Sequence, residues 1–206
     1  MTAVTAIETR YGGCRFRSRL EARWAVFFTR LGLDWEYEEQ GYQVGRNKQR
    51  YLPDFLLPDL GLYIEIKPLN AFLVDPEGVR RWEAFAEAVA ENGGHERSVP
   101  VKHPGVRAEV AMVCGPIPDP DKVMPWGPTP RPSWAYERGM SVLGEGEWAW
   151  CACRSGRHFD IQHLGRGNRV ACGCTEGDVG HTADDSRILN AYGAARSSRF
   201  EEGSNG

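Results

Sequence analysis

The residues that point to chemistry lie in two short runs, Tyr51-Leu-Pro-Asp54-Phe-Leu-Leu and Leu62-Tyr-Ile-Glu65-Ile-Lys67. Each is an apolar strand pattern with charge at one end, and Pro58-Asp-Leu-Gly61 between them reads as a turn. Along the second run Glu65 and Lys67 are two apart and share a face, whereas Ile64 and Ile66 take the other. Pairing the runs as a hairpin brings Asp54 to Glu65, so two carboxylates and a lysine meet on an otherwise hydrophobic element. Two carboxylates about 4 Å apart repel by roughly 4 kcal/mol at an effective dielectric of about 20, which favours a cation in the gap. Magnesium takes a few carboxylate ligands and keeps several waters, which suits an open site at a sheet edge. A lysine beside it orients an attacking water or offsets charge on a phosphate. The chemistry expected of such a set is phosphodiester hydrolysis; the competing account is an ordinary charged hairpin.

The elements that must position this set are also legible. Phe16 to Gly32 reads as one amphipathic helix: Leu20, Trp24, Phe27, Phe28 and Leu31 recur at helical spacing, and Gly32 supplies a stop. Glu21 sits at the margin of that stripe, within reach of the sheet the helix packs on. Two accounts of Glu21 stand, a share in the active site and a capping box with Ser18. Asp34 to Glu38 alternates polar and aromatic residues as a strand. Pro76 to Asn92 is helical, with Val79, Trp82, Phe85, Ala86 and Val89 on one face and Gly93-Gly94 beyond. Val110 to Cys114 is a short buried strand closed by Gly115-Pro116. The order helix, strand, strand, strand, helix, strand predicts a mixed sheet flanked by helices.

On these residues the chain resembles the PD-(D/E)XK nuclease superfamily, with Pro53-Asp54 as its PD and Glu65-Ile66-Lys67 as its EXK. A glutamate on the first helix, here Glu21, is similar to the branch that includes the transposon endonuclease TnsA and phage endonuclease I, the junction resolvase. The resemblance covers about the first 115 residues. It implies an α/β, restriction-endonuclease-like core and a metal-dependent DNA endonuclease of phage or mobile-element type, using Mg²⁺ or Mn²⁺. Asp54, Glu65 and the backbone carbonyl of Ile66 would be the ligands, Glu21 would complete the shell, and Lys67 would position the water. Duplex or branched DNA is the implied substrate, with a homodimer or a transposition or recombination subunit as partner. The alternative is a non-catalytic or partner-dependent nucleic-acid-binding protein that keeps the fold as a scaffold. Retention of Asp54, Glu65 and Lys67 together weighs against it, because a scaffold has no need to bury like charges side by side.

Composition sets bounds. With 206 residues, 41% of them hydrophobic, the chain is long enough for one sizeable core and a small appendage. A net charge of -3 gives no global basic field, so any nucleic-acid contact must come from local clusters. Residues 1–30 hold Arg10, Arg15, Arg17, Arg19, Arg23 and Arg30 against Glu8 and Glu21, and Arg46, Lys48 and Arg50 precede the Asp54 strand. Of these, Arg15, Arg17, Arg19, Arg46, Lys48 and Arg50 are the expected phosphate contacts, although any one of them alone fits a solvated surface. The acidic run Asp34 to Glu39 excludes DNA from its own surface. The N-terminus lacks a secretory pattern and no apolar stretch is long enough to span a bilayer. The expectation is a soluble, cytoplasmic chain with no membrane partner and reduced cysteines, Cys14 and Cys114 serving as small core residues.

From Gly115 onward prolines accumulate, and residues 116–135 read as an extended linker after a nuclease-like domain over 1–115. A cysteine-rich module follows over 136–182. Cys151 and Cys153 are separated from Cys172 and Cys174 by eighteen residues. Two thiol pairs joined by a hairpin are expected to hold a structural Zn²⁺ that staples a segment too small for its own core. His158 and His163 are available as substitute ligands, and buried free thiols are the competing account. Arg154, Arg157, Arg166 and Arg169 between the pairs give that segment a basic face. Residues 183–206 are expected as a polar tail with a short helix near Ser186 to Ala195, placing Ile188, Leu189 and Tyr192 on one side.

Overall fold

The computed structural model describes residues 7–68, 71–91, 109–123, 148–153, 158–163 and 181–200. The protein is mixed α/β, with several small sheets. The first described elements form a hairpin, β1 (Thr9–Tyr11) and β2 (Cys14–Phe16), whose two-residue loop is Gly12-Gly13, both at positive φ (57° and 82°). That loop suits the twist of a tight hairpin and is strongly selective for glycine. Helix α1 (Arg19–Leu31) follows, and Gly32 ends it in the left-handed conformation (φ 71°), its N–H returning to Phe28 and Thr29 carbonyls. The helix is shorter than its apolar pattern. Phe16 belongs to β2 and Ser18 is the N-cap, its hydroxyl accepting from the Glu21 N–H, so the cap rather than the hydrophobic spacing sets the start.

Next come β3 (Glu36–Tyr37), a hairpin of β4 (Tyr42–Val44) and β5 (Gln49–Tyr51), then β6 (Phe55–Leu57) and β7 (Leu62–Lys67). Short α2 (Ala71–Val74) and long α3 (Pro76–Glu91) lead to β8 (Glu109–Cys114). The central sheet has the order β3-β6-β7-β8; β6 runs antiparallel to β7 and β8 runs parallel to it. A parallel neighbour requires a crossover, and α2 and α3 lie in that connection.

Period-2 alternation divides the sheet between two cores. Phe55, Leu57, Leu62, Ile64, Ile66, Ala111 and Val113 face α1, burying Trp24, Phe27 and Phe28. Leu56, Tyr63, Val110 and Met112 face α3, packing with Val79, Trp82, Phe85 and Ala86 and with Val44 and Tyr51 of the β4–β5 hairpin.

The first part of the expected linker is packed rather than extended. Asp119 caps a 3-10 turn over Pro120–Lys122, and Ile117 and Val123 on either side are buried in the α1 core. Beyond it, β9 (Trp148–Cys153) is flanked by β10 (Phe159–His163) and β11 (His181–Thr182), and α4 (Ser186–Ser197) follows. These elements share the core of α1. Trp150, Cys151, Ile161, Ile188, Ala191 and Tyr192 belong to the same buried cluster as Trp24 and Phe27, and Tyr192 stacks on Phe27 with ring centroids 4.6 Å apart. The helix expected near Ser186 is present, with Ile188 and Tyr192 inward, but it is a core element and not an appendage of a tail. Among the described residues no helix is long and apolar enough to cross a membrane.

Candidate active site

The β6–β7 register fixes the site. Phe55 pairs with Ile64 and Leu57 with Leu62, which sets Asp54 opposite Glu65 at the end of the hairpin. The turn between the strands is closed by Leu60 and Gly61 N–H bonds to the Leu57 and Pro58 carbonyls, with Gly61 at φ 62°. Both carboxylates are buried, Asp54 at 3% and Glu65 at 4% exposure. Asp54 Oδ2 accepts from the Ile66 N–H at 2.7 Å, an anchor across the strand pair. Glu65 is held at both oxygens: Lys67 Nζ lies 2.7 Å from Oε1, and the Tyr51 hydroxyl donates to Oε2 at 2.5 Å.

Glu21, 8% exposed, comes from the first turn of α1 to the same place. Its carboxylate accepts from the Ser18 hydroxyl at 2.7 Å, the Tyr37 hydroxyl at 2.5 Å and the Arg17 N–H at 3.1 Å. The capping arrangement is therefore real, and the glutamate also lines the cleft that Asp54 and Glu65 line. The two accounts of Glu21 are compatible. Arg17 ties the parts together, since its guanidinium lies 3.1 Å from Asp54 Oδ1 and also pairs with Glu38. Glu38 adopts a left-handed φ of 48°, and its N–H donates to the Asp54 carbonyl at 3.0 Å. A non-glycine residue in that region is uncommon and is held there by its surroundings.

Electrostatics follow from burial. Asp54 has its pKa raised well above the ordinary carboxylate value, first by desolvation and then by the charges of Glu65 and Glu21; the Ile66 N–H and Lys67 act in the opposite direction. Burial alone would lower the Lys67 pKa, but the charge and hydrogen bond of Glu65, with Asp54 and Asp75, outweigh it and keep the ammonium protonated. Tyr51 is pushed up by burial and by Glu65, so its hydroxyl stays a donor.

The four residues expected to carry chemistry, Glu21, Asp54, Glu65 and Lys67, thus line one open cleft of about 270 Å³. Ile66 lines it as well. Among the expected phosphate contacts, Arg17 and Arg50 reach the cleft, whereas Arg15, Arg19, Arg46 and Lys48 are not part of its lining. Arg15 pairs with Glu8. Arg46 and Lys48 stand exposed in the β4–β5 turn, which is polar and carries no apolar residue to pull it inward. Sequence reasoning missed Tyr37, Tyr51 and Arg81 of this cleft and its rim. Tyr51, three residues before Asp54, was the findable one, because a buried phenol needs an acceptor and the nearest strand offers a glutamate.

A buried set of like charges fits a hard divalent cation. Asp54 and Glu65 offer oxygen ligands from two facing strands, and a cation there would favour the ionised form of Asp54 that burial and its acidic neighbours disfavour. Among the described residues no three His, Cys, Asp or Glu side chains converge closely enough to hold a metal by themselves, so main-chain oxygen or water would complete such a shell. For the second expected metal, Cys151 and Cys153 are buried on β9, and burial followed by the charges of Asp160 and Asp184 raises the Cys151 pKa. Cys172 and Cys174 lie outside the described residues. Comparison of the chain with protein-family models, curated proteins and solved structures finds no match.

Proposed function

We propose that this chain is a metal-dependent DNA endonuclease of the PD-(D/E)XK type, its central sheet serving as a restriction-endonuclease-like core. The observation that supports this reading best is the facing pair Asp54 and Glu65, buried together with Lys67 2.7 Å from Glu65 at an open cleft. Burying these carboxylates together is costly even with Lys67 and Arg17 beside them, and a function that uses the charge accounts for that cost. Asp54 and Glu65, with the Ile66 carbonyl, would hold Mg²⁺ or Mn²⁺. When bound, such an ion supplies Lewis acidity and neutralises charge that develops on the phosphate.

The chain's own residues do the rest. Lys67, kept protonated by Glu65, acts as a fixed donor to the attacking water or to a phosphate oxygen, not as a base. Tyr51 locks the Glu65 carboxylate plane through its other oxygen. Arg17 offsets the charge of Asp54 until a cation or phosphate competes for that position. DNA is the proposed substrate, and the cysteine pair on β9 is proposed as half of a zinc site that residues Cys172 and Cys174 complete.

Cleavage of supercoiled plasmid and of a synthetic four-way junction, with Mg²⁺ or Mn²⁺ and with EDTA, tests the reading. Metal-dependent cutting is expected, and Lys67→Ala should reduce it by about 10²–10³-fold, the range for loss of one preorganised charge-stabilising donor. Intact metal-dependent cutting by the Lys67→Ala protein would remove Lys67 from the mechanism. Binding without cutting by the folded wild-type chain would favour the non-catalytic alternative.

Glu21 admits a cleaner separation. Glutamine also serves at the third position of a capping box, so Glu21→Gln should hold stability within about 0.5 kcal/mol while removing the charge. Cleavage is expected to fall about tenfold or more. Unchanged cleavage with an unchanged melt would reduce Glu21 to its capping role.

A further inference from the structure

The cleft is lined by four cationic side chains, Arg17, Arg50, Lys67 and Arg81, and by three carboxylates, Glu21, Asp54 and Glu65. Two of the cations are committed to the carboxylates: Lys67 to Glu65 and Arg17 to Asp54. The other two are not. Among the described residues Arg50 shows no ion pair, and Arg81 has only an exposed contact to Glu77 at 4.0 Å, one turn away on its own helix. Pairs of that kind contribute little.

The two arginines stand on different elements, β5 and α3, yet their spacing is fixed by core packing. Tyr51, next to Arg50, is buried and stacks on Phe85 of α3 with ring centroids 4.8 Å apart. Trp82, next to Arg81, is buried in the same cluster. Each guanidinium therefore rises from a backbone held by an aromatic neighbour, which lowers the entropic cost of gripping a ligand.

The cleft is open and, at about 270 Å³, has room for a phosphate group.

We propose that Arg50 and Arg81 form a phosphate-binding subsite for the DNA backbone beside the scissile phosphate, one that does not itself read sequence. The inference rests on the endonuclease reading above and extends it to the substrate's flanking phosphate. Guanidinium groups bind phosphate oxygens in pairs, and backbone contacts of this type fix register without carrying sequence information.

The test is binding of short DNA duplexes of two unrelated sequences across a KCl series, read by fluorescence anisotropy with Ca²⁺ in place of Mg²⁺. Wild type is compared with Arg50→Gln, Arg81→Gln, the conservative Arg50→Lys and Arg81→Lys, and Arg30→Gln as an exposed control outside the cleft lining. The glutamine variants should each bind about fivefold more weakly and flatten the slope of log K against log salt by about one, equally for both sequences. The lysine variants should keep the slope, and Arg30→Gln should match wild type. Wild-type affinity and slope in both glutamine variants, from a chain that still cleaves DNA with Mg²⁺, would overturn the subsite and leave the endonuclease reading intact. Weaker binding with an unchanged slope, or loss confined to one sequence, also overturns it. A wild-type chain that neither binds nor cleaves DNA overturns both.

Discussion

Asp54→Asn is expected to abolish metal-dependent cleavage and, at neutral pH, to make the metal-free protein more stable. The first effect follows from losing a ligand for a cation whose charge stabilisation is several kcal/mol, so a drop of about 10³-fold or more is expected. The second follows from the site itself. Asp54 is buried beside Glu65 and Glu21, and its pKa lies above that of an unfolded aspartate. A raised folded pKa means that stability is fully present below the unfolded value, about 3.9, and is lost as pH rises through the folded one. Removing the charge should therefore stabilise the chain by about 1 kcal/mol at pH 7, within the usual range for relieving functional strain. The gap should close as pH falls toward about 4, where wild-type Asp54 is protonated too. Added Mg²⁺ should raise the melting temperature of wild type and not of the variant, since only the protein that binds gains from mass action. A variant less stable than wild type at pH 7, or one that still gains from Mg²⁺, would show that Asp54 is a structural anchor for Ile66 and nothing more.

The second large effect concerns a residue far from the chemistry in sequence. Tyr192→Ala should cost about 3–5 kcal/mol, as for other large aromatic side chains removed from a close-packed core. Tyr192 is 1% exposed, stacks on Phe27 and lies edge-to-face with Trp24, ring centroids 6.4 Å apart, so the void would open directly behind α1. In a chain of this size that corresponds to a fall in melting temperature of roughly 10 °C. Calorimetry should show a single transition moving as a whole. A shift below about 2 °C, or a separate low-temperature transition, would instead make α4 an independent unit.

Much of the site was legible because its signals were local. The Asp54 to Glu65 spacing, the Pro58–Gly61 turn and strand alternation together specify a hairpin register, and the structure has that register. The apolar stripe of α3 gave its inward residues for the same reason. Three kinds of information were not local. The start of α1 is decided by the Ser18 cap against a hydrophobic pattern that runs on to Phe16, and pattern alone favours the longer helix. Gly12-Gly13 is a strong hairpin signal, but its flanking residues are too few and too polar to look like strands. The placement of β9 and α4 against α1 depends on contacts between distant segments, which proline-rich and polar stretches between them conceal. Arg81 was hidden by helical averaging: beside an apolar stripe, one arginine among several looks like solvated surface until the cleft next to it is known.

The pairing of α1 with α4 has a consequence for how the chain is made. Residues 19–31 leave the ribosome with Trp24, Phe27 and Phe28 already committed to an inward face, while the helix that covers part of it begins only at Ser186. At about 5–20 residues per second the wait is roughly 10–30 s, far longer than helix formation or collapse. During that interval the nascent α1 offers an aromatic surface with no native cover from α4, the situation in which chaperones engage and neighbouring nascent chains stick. Completion of this core therefore waits on the synthesis of residues 186–197.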